Sequence, residues 1–223
     1  MAKVGVITIN DYTNYGNRLQ NYAVQEVLRG FGFEVETIVV KIERPLNYNA
    51  HRLTNLLKNR RKAIKYILSK SNQMINKHKF DKCMSERIKS FKSFTNKYIS
   101  ESKFIVTNDK FPSEYVDNYE FFIVGSDQIW NPYFRFGNSI DFLTFAPKNK
   151  RIAYSASFGI SEIPEEYISK YQKWLSEMYR ISVREERGAE IVKELTGKNA
   201  KVLIDPTLML NKEKWLSISK KSE

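Results

Sequence analysis

The sequence predicts an α/β fold: a doubly wound, largely parallel, Rossmann-like sheet that carries a helical basic insertion. Two observations predict it. Short β-branched apolar runs alternate along the chain with stretches whose apolar residues recur at 3.6-residue spacing, and small polar or glycine-containing turns follow the runs. Lys3 to Asn10 is the first such run. The polar turn from Asp11 to Asn17 follows, then a helix-like stretch from about Arg18 to Arg29, with Leu19, Tyr22, Ala23, Val27 and Leu28 on one face. Gly30 and Gly32 stop that helix, and Glu34 to Val40 reads as a second strand. A strand, helix, strand unit of this kind closes as a right-handed parallel crossover.

Residues from about 45 to 110 behave differently. Leu53, Leu56, Leu57, Ala63, Ile64, Ile67 and Leu68 mark one amphipathic helix, and Phe80, Met84, Ile88, Phe91 and Phe94 mark a second. The alternation then resumes. Phe121 to Val124, Lys150 to Ser155, Ile181 to Val183 and Lys201 to Ile204 read as strands, with helices over Glu165 to Tyr179 and Glu186 to Leu195. The expected organisation is one Rossmann-like domain over residues 1–210, with residues 211–223 beginning a connection to a second domain.

Composition narrows the class. With 42% hydrophobic and 13% aromatic residues among 223, the chain can bury a sizeable core. The longest apolar runs are strand-sized, far from the roughly 20 residues of a membrane span. A lone cysteine, Cys83, cannot staple a secreted fold, and the amino terminus lacks the succession of a secretion signal. The expected location is the cytoplasm. The formal charge of +12 is local: residues 41–110 hold 18 Lys and Arg against 5 Asp and Glu. That asymmetry weakens a nucleic-acid reading and leaves two others for the segment, solvated outer helix faces or contact with an anionic surface.

In open α/β sheets ligands bind beyond the carboxyl ends of the strands, so polar residues directly after each strand are the candidate site. Asn10, Asn14, Gly16 and Asn17 follow the first strand, where a helix start can receive an anion or an Asn can simply cap the turn. Gly125, Ser126 and Asp127 follow the strand at Phe121, with Trp130 either beside a ligand or in the core. Ser155 and Ser157 end the next strand. Arg184 follows the strand at Ile181, and a guanidinium beside a buried strand needs an anion, whether a ligand or an internal carboxylate. Asp205, before Pro206, reads as turn chemistry.

Familiar signatures are missing: there is no G-x-G-x-x-G, no Walker lysine loop and no G-x-S-x-G elbow. One cysteine with His51 and His78 makes no metal-ligand set, so no metal is expected.

Taken in order, TINDYTNYGNRLQNYAVQ, FFIVGSDQIWNP, RIAYSASFG, ISVREERGAEIV and VLIDPTLML resemble the polysaccharide pyruvyl transferase family. The resemblance runs from Val4 to Leu216, and the basic segment is its least family-like part. It implies a glycosyltransferase-B-like arrangement of two Rossmann-type domains across a cleft. It also implies transfer of a pyruvyl group from phosphoenolpyruvate to a sugar or lipid-linked saccharide, forming a pyruvate ketal with no additional cofactor. Arg184 matches the family's strand-end Ser-x-Arg pattern and is the expected catalytic anion clamp. Asn10, Asn14, Gly16, Asn17, Gly125, Ser126, Asp127, Ser155 and Ser157 are the expected substrate contacts. Two departures stand out. Asn17 occupies a position where many members are acidic, and the family's candidate acid, a histidine of the second domain, has no match here. These residues alone are therefore expected to be inactive. A transferase of this kind would work in the cytoplasm or at the inner face of the plasma membrane. The remaining alternatives are a glycosyltransferase with a nucleotide-sugar donor, and a non-enzymatic binder of acidic polymer or anionic membrane.

Overall fold

In the computed structural model, which describes residues 1–43, 77–107 and 110–219, seven parallel strands form one sheet. They are β1 (Lys3–Ile7), β2 (Glu34–Lys41), β3 (Glu101–Thr107), β4 (Phe121–Val124), β5 (Arg151–Ala156), β6 (Arg180–Val183) and β7 (Lys201–Val202). Their order across the sheet is β3-β2-β1-β4-β5-β6-β7, and every pairing is parallel. The chain winds outward from β1 to β3, returns to lay β4 against β1, and winds outward again to β7. Strand order therefore reverses between β1 and β4, where folds of this type open a crevice at the carboxyl edge.

Alternation along the strands sorts the core. Val4 and Val6 of β1 and Ile123 of β4 pack with Val24 and Leu28 of α1 (Tyr15–Gly30). Ile7, Phe122 and Val124 point to the opposite face, in a larger cluster with Trp130, Phe142, Tyr171, Val183 and Ile191. That face is covered by α4 (Glu165–Ser176) and α5 (Glu186–Thr196), and by turns between β4 and β5 that include the short helix α3 (Pro132–Arg135). Trp130 is core: its ring is fully buried, stacks on Phe142 and donates from Nε1 to the Asp141 carbonyl at 2.8 Å.

Two expectations change. The predicted apolar stripe of α1 is only part of its buried face: Tyr22, Ala23 and Leu28 are buried and Leu19 is exposed, while Asn17, Arg18, Gln20, Asn21 and Gln25 are buried as well. The polar side chains are paired beneath the helix: Gln25 Nε2 donates to Thr37 Oγ1 at 2.7 Å, Thr37 donates to Asn21 at 2.6 Å, and Thr8 donates to Gln20 at 3.2 Å. The second change concerns the basic segment at 45–110. Its end is not helical insertion but β3, the edge strand of the sheet, and α2 (Lys77–Tyr98) leads into it. Phe91 of α2 meets Tyr15 with ring centroids 4.5 Å apart, and Phe94 and Tyr98 pack on Tyr22. Lys82, Arg87, Lys89, Lys92 and Lys97 are all exposed, which puts their charge on its outer surface. The amphipathic stretch from Leu53 to Leu68 lies outside the described residues. Within residues 211–219, α6 (Lys212–Ile218) packs on α1, with Trp215 against Tyr22 and Lys214 paired with Glu26.

Among the described residues, no helix is long and apolar enough to cross a membrane.

Candidate functional site at the carboxyl edge of the sheet

The turn after β1 and the turn after β4 meet at the switch point. Asn14 caps α1, its side chain accepting from the Asn17 amide at 3.4 Å, and Asn17 in turn donates its side-chain amide to Asp127 Oδ2. Asp127 sits at φ 57°, which lets its other oxygen accept from the Gln128 amide at 2.8 Å. Gly125 is required by geometry. At its φ of 123° any Cβ would lie 2.2 Å from the Tyr154 carbonyl, so the chain can pass this close to β5 only without a side chain. Gly16 carries no such demand: it lies in the exposed first turn of α1 without positive φ.

A second set of contacts joins the ends of β4, β6 and β7. Ser126 donates to Asp205 Oδ2 at 2.8 Å, and Arg184 Nη1 reaches the same oxygen at 3.2 Å. Asp205 Oδ1 meanwhile accepts from the backbone and hydroxyl of Thr207 at 2.9 and 2.7 Å. Burial alone would raise the Asp205 pKa. The hydrogen bonds from Thr207, Ser126 and Arg184 outweigh that and hold it below the usual carboxylate range. Arg184 also lies 3.6 Å through Nε from Glu185, which accepts a hydrogen bond from Ser157. Its side chain is 28% exposed, and its Nη2 meets no acceptor among the described residues.

The expected residues thus fall into three groups. Asn14, Asn17 and Asp127 are connected, as are Ser126, Arg184 and Ser157 through Asp205 and Glu185. The peptide joining Gly125 and Ser126 to Asp127 links the two groups. Ser126, Ser155 and Ser157 are all fully buried, but Ser155 stands apart in its partner: its hydroxyl donates to the Leu203 carbonyl at 2.9 Å, tying β5 toward β7. Asn10 is among the residues lining a separate cavity, with both polar atoms of its side chain buried. Sequence reasoning missed Asp205 as a shared partner, since an Asp-Pro-Thr turn satisfies itself locally and gives no sign of Ser126 far upstream. It also missed Arg18, whose buried guanidinium lies 3.1 Å from Glu101 and 4.8 Å from the Tyr12 ring.

Tyr12 donates to Glu101 at 2.6 Å. Burial first, then that bond and the Glu101 charge, push its pKa from the ordinary 10.0 to about 12, with Arg18 opposing. Because the folded pKa is the higher one, this contribution to stability is complete below about pH 10 and is lost as pH rises toward 12. Tyr119 and Tyr171 are raised as well, chiefly by burial. Alkaline titration should therefore show a group of tyrosines ionising only together with loss of the circular dichroism of the fold. Smooth ionisation of all tyrosines near pH 10, with the fold intact, would contradict the buried pairings.

The reversed strand order and the polar, arginine-bearing carboxyl edge define a Rossmann-like α/β protein with the layout of a ligand-binding domain. The family model for polysaccharide pyruvyl transferase matches residues 14–223, and the chain belongs to that family. Neither a curated protein nor a solved structure shows a significant match. Family membership makes the protein a pyruvyl transferase in general terms and implies a polysaccharide acceptor.

Proposed function

We propose that the protein moves a pyruvyl group from phosphoenolpyruvate to a sugar of a cell-surface polysaccharide or of its lipid-linked precursor, closing a pyruvate ketal. The observation that supports this reading best is the meeting of Ser126 and Arg184 on Asp205, adjoining the Asn17–Asp127 pair at the switch point. It sets a part-exposed guanidinium at the edge where anionic ligands bind in such sheets.

In the reaction the methylene carbon of the enol takes a proton, and the adjacent carbon becomes oxocarbenium-like. One sugar hydroxyl adds there and loses its proton, the carbon–oxygen bond to phosphate breaks to give a second oxocarbenium-like centre, and a second hydroxyl adds to it, closing the ring and giving its proton to the released phosphate. Arg184 offers Nη2 to the donor's carboxylate or phosphate, and charge-assisted pairing with an oxyanion favours it over the looser Glu185 contact. The Asn14–Asn17 turn completes that wall, while the buried Ser126 and Ser157 hold Asp205 and Glu185 in place behind it. Asp205, held ionised at neutral pH, orients Arg184 and is unsuited to protonating the enol. The exposed basic face of α2 suits peripheral contact with the anionic inner face of the plasma membrane, where lipid-linked acceptors reside.

The test is to incubate the protein in its full natural length with phosphoenolpyruvate and acceptor saccharide. Inorganic phosphate and an acid-labile ketal are expected. Release of a nucleoside diphosphate from a nucleotide sugar, with phosphoenolpyruvate untouched, would replace this reading by a glycosyltransferase. Sedimentation with anionic liposomes, lost at high salt, checks the location.

A further inference from the structure

Helix α1 leaves part of its apolar stripe open. Leu19, one turn before the buried Tyr22 and Ala23, is 36% exposed, and Tyr15, a turn earlier still, is 64% exposed. Both border a groove of about 630 Å³ between α1, α2 and α6, whose floor is Phe94 and Tyr98 of α2 and which Ile218 of α6 helps to close. That volume falls within the roughly 300–1,000 Å³ of small-molecule sites. The two long helices touch through rings at two places along α1: Tyr15 on Phe91 at 4.5 Å, and Tyr22 on Phe94 and Tyr98 at 6.1 Å. Leu19 lies between those contacts and faces the opening.

The rim of this groove carries charge of one sign. Lys89, Ser93 and Lys97 recur every fourth residue, so they stand in one row along its α2 side, and all three are exposed. Neither lysine makes an ion pair among the described residues; Lys97 lies 5.0 Å from the Tyr98 ring. Arg87, 5.2 and 5.6 Å from the Tyr15 and Phe91 ring centroids, adds a third cation where those rings meet. No carboxylate is among the lining residues, and the one buried cation there, Arg18, is already paired with Glu101. An apolar floor under a row of exposed cations matches a ligand divided in the same way, an apolar chain beneath an anionic head. A free phosphate would use only the lysines, whose attraction water and salt screen at such exposure. Two turns of a partner's helix, about 11 Å long and 10 Å across, already exceed the volume, whereas a lipid chain, one methylene wide, does not.

We infer that this groove binds a single anionic membrane lipid, its chain against Leu19, Phe94 and Tyr98 and its phosphate on Lys89 and Lys97. The inference deepens the membrane placement proposed for the basic face of α2 and takes nothing from the transfer reaction. It turns a diffuse attraction into a site with a stoichiometry. Tyr15 and Leu19 belong to the first turns of α1, directly after the Asn14 cap, so a lipid held there sets the carboxyl edge of the sheet beside the membrane surface.

Calorimetric titration of the 223-residue chain with dihexanoylphosphatidylglycerol, kept below its micellar concentration, tests the site against two controls, dihexanoylphosphatidylcholine and glycerol 3-phosphate. One equivalent of the anionic lipid is expected to bind, at least tenfold more tightly than either control, since each control offers half of the match. Affinity should fall at least tenfold in Leu19→Asn and in Lys89→Gln/Lys97→Gln. These side chains are exposed, so their replacement leaves the core intact, and an unchanged melting temperature checks it. No saturable binding of the anionic lipid, equal affinity for the phosphocholine lipid, or binding that survives Leu19→Asn overturns the site. Sedimentation with phosphatidylglycerol liposomes separates the groove from the broader membrane placement. Sedimentation lost in the lysine variant but unchanged in Leu19→Asn would leave peripheral contact standing and remove the groove. Stoichiometric binding of the soluble lipid without sedimentation would do the reverse.

Discussion

Arg184→Ala is expected to lower kcat/KM of the full-length transferase about 10²- to 10³-fold, the loss typical of removing one preorganised donor to a developing oxyanion. The guanidinium is held from two sides, by Asp205 at 3.2 Å and Glu185 at 3.6 Å, which fixes its plane and leaves Nη2 to offer. Arg184→Lys should restore less than about tenfold of that loss. An ammonium is a point charge and cannot face Asp205 and a ligand oxyanion in one plane. If Arg184 were only a strut between β6 and β7, both variants would shift the urea midpoint while the folded fraction kept wild-type kcat/KM. Kinetics normalised to folded protein separate the two, and a normal kcat/KM in the alanine variant would remove Arg184 from the donor site. Asp205→Asn, which retains the shape but not the charge, should raise KM for phosphoenolpyruvate more than it lowers kcat, since it loosens the clamp without removing it.

The parallel sheet was readable where burial is two-sided. FFIV and the VGVI of β1 are continuous apolar runs because strands covered on both faces have no polar alternation to show. The edge strand β3 was not readable. ESKFIVT keeps Lys103 and Ile105 in solvent and is buried only at Ser102 and Val106, so its pattern merged with the basic helix before it. Helix α1 was readable in part: Tyr22, Ala23 and Leu28 are buried as the stripe places them, but amphipathicity ranks Leu19 inward and Gln25 outward, while the fold pairs Gln25 with Thr37 and the Ser100 carbonyl. At the candidate site, a polar residue directly after an apolar run was enough to single out Ser126, Asp127 and Arg184. What joins them was beyond reach, because Asp205 is 79 positions from Ser126 and 21 from Arg184, and only the strand order brings these together. Ser155 shows the cost of the same rule. A hydroxyl at a strand end can be spent within the sheet, and its link to Leu203 depends on a β-bulge that no local pattern announces.

Arg18→Ala is expected to destabilise the chain by about 3–5 kcal/mol, the range for removing one partner of a buried ion pair. Arg18 is 1% exposed and Glu101 18%, so deletion strands a carboxylate under α1 with Tyr12 as its remaining donor. The guanidinium also donates to the Ile9 carbonyl at 3.3 Å and lies against the Tyr12 ring, so it ties β3 to the very turn that carries Asn10 and Asn17. Loss of the tie should loosen that turn as well as the edge strand. Hydrogen exchange at residues 9–17 and 101–107 should then rise together, ahead of exchange in β4 and β5. Replacing both charges, Arg18→Met with Glu101→Leu, removes the stranded carboxylate and should recover most of the stability, since an apolar pair of similar volume often matches a buried salt bridge. Urea unfolding with an unchanged m-value measures each step of this cycle. A loss below about 1 kcal/mol for Arg18→Ala would mean that water reaches Glu101 freely and that this pair does not set the β1–α1 turn. A double variant no more stable than the single would place the cost in lost packing of the arginine stem instead of in the charge.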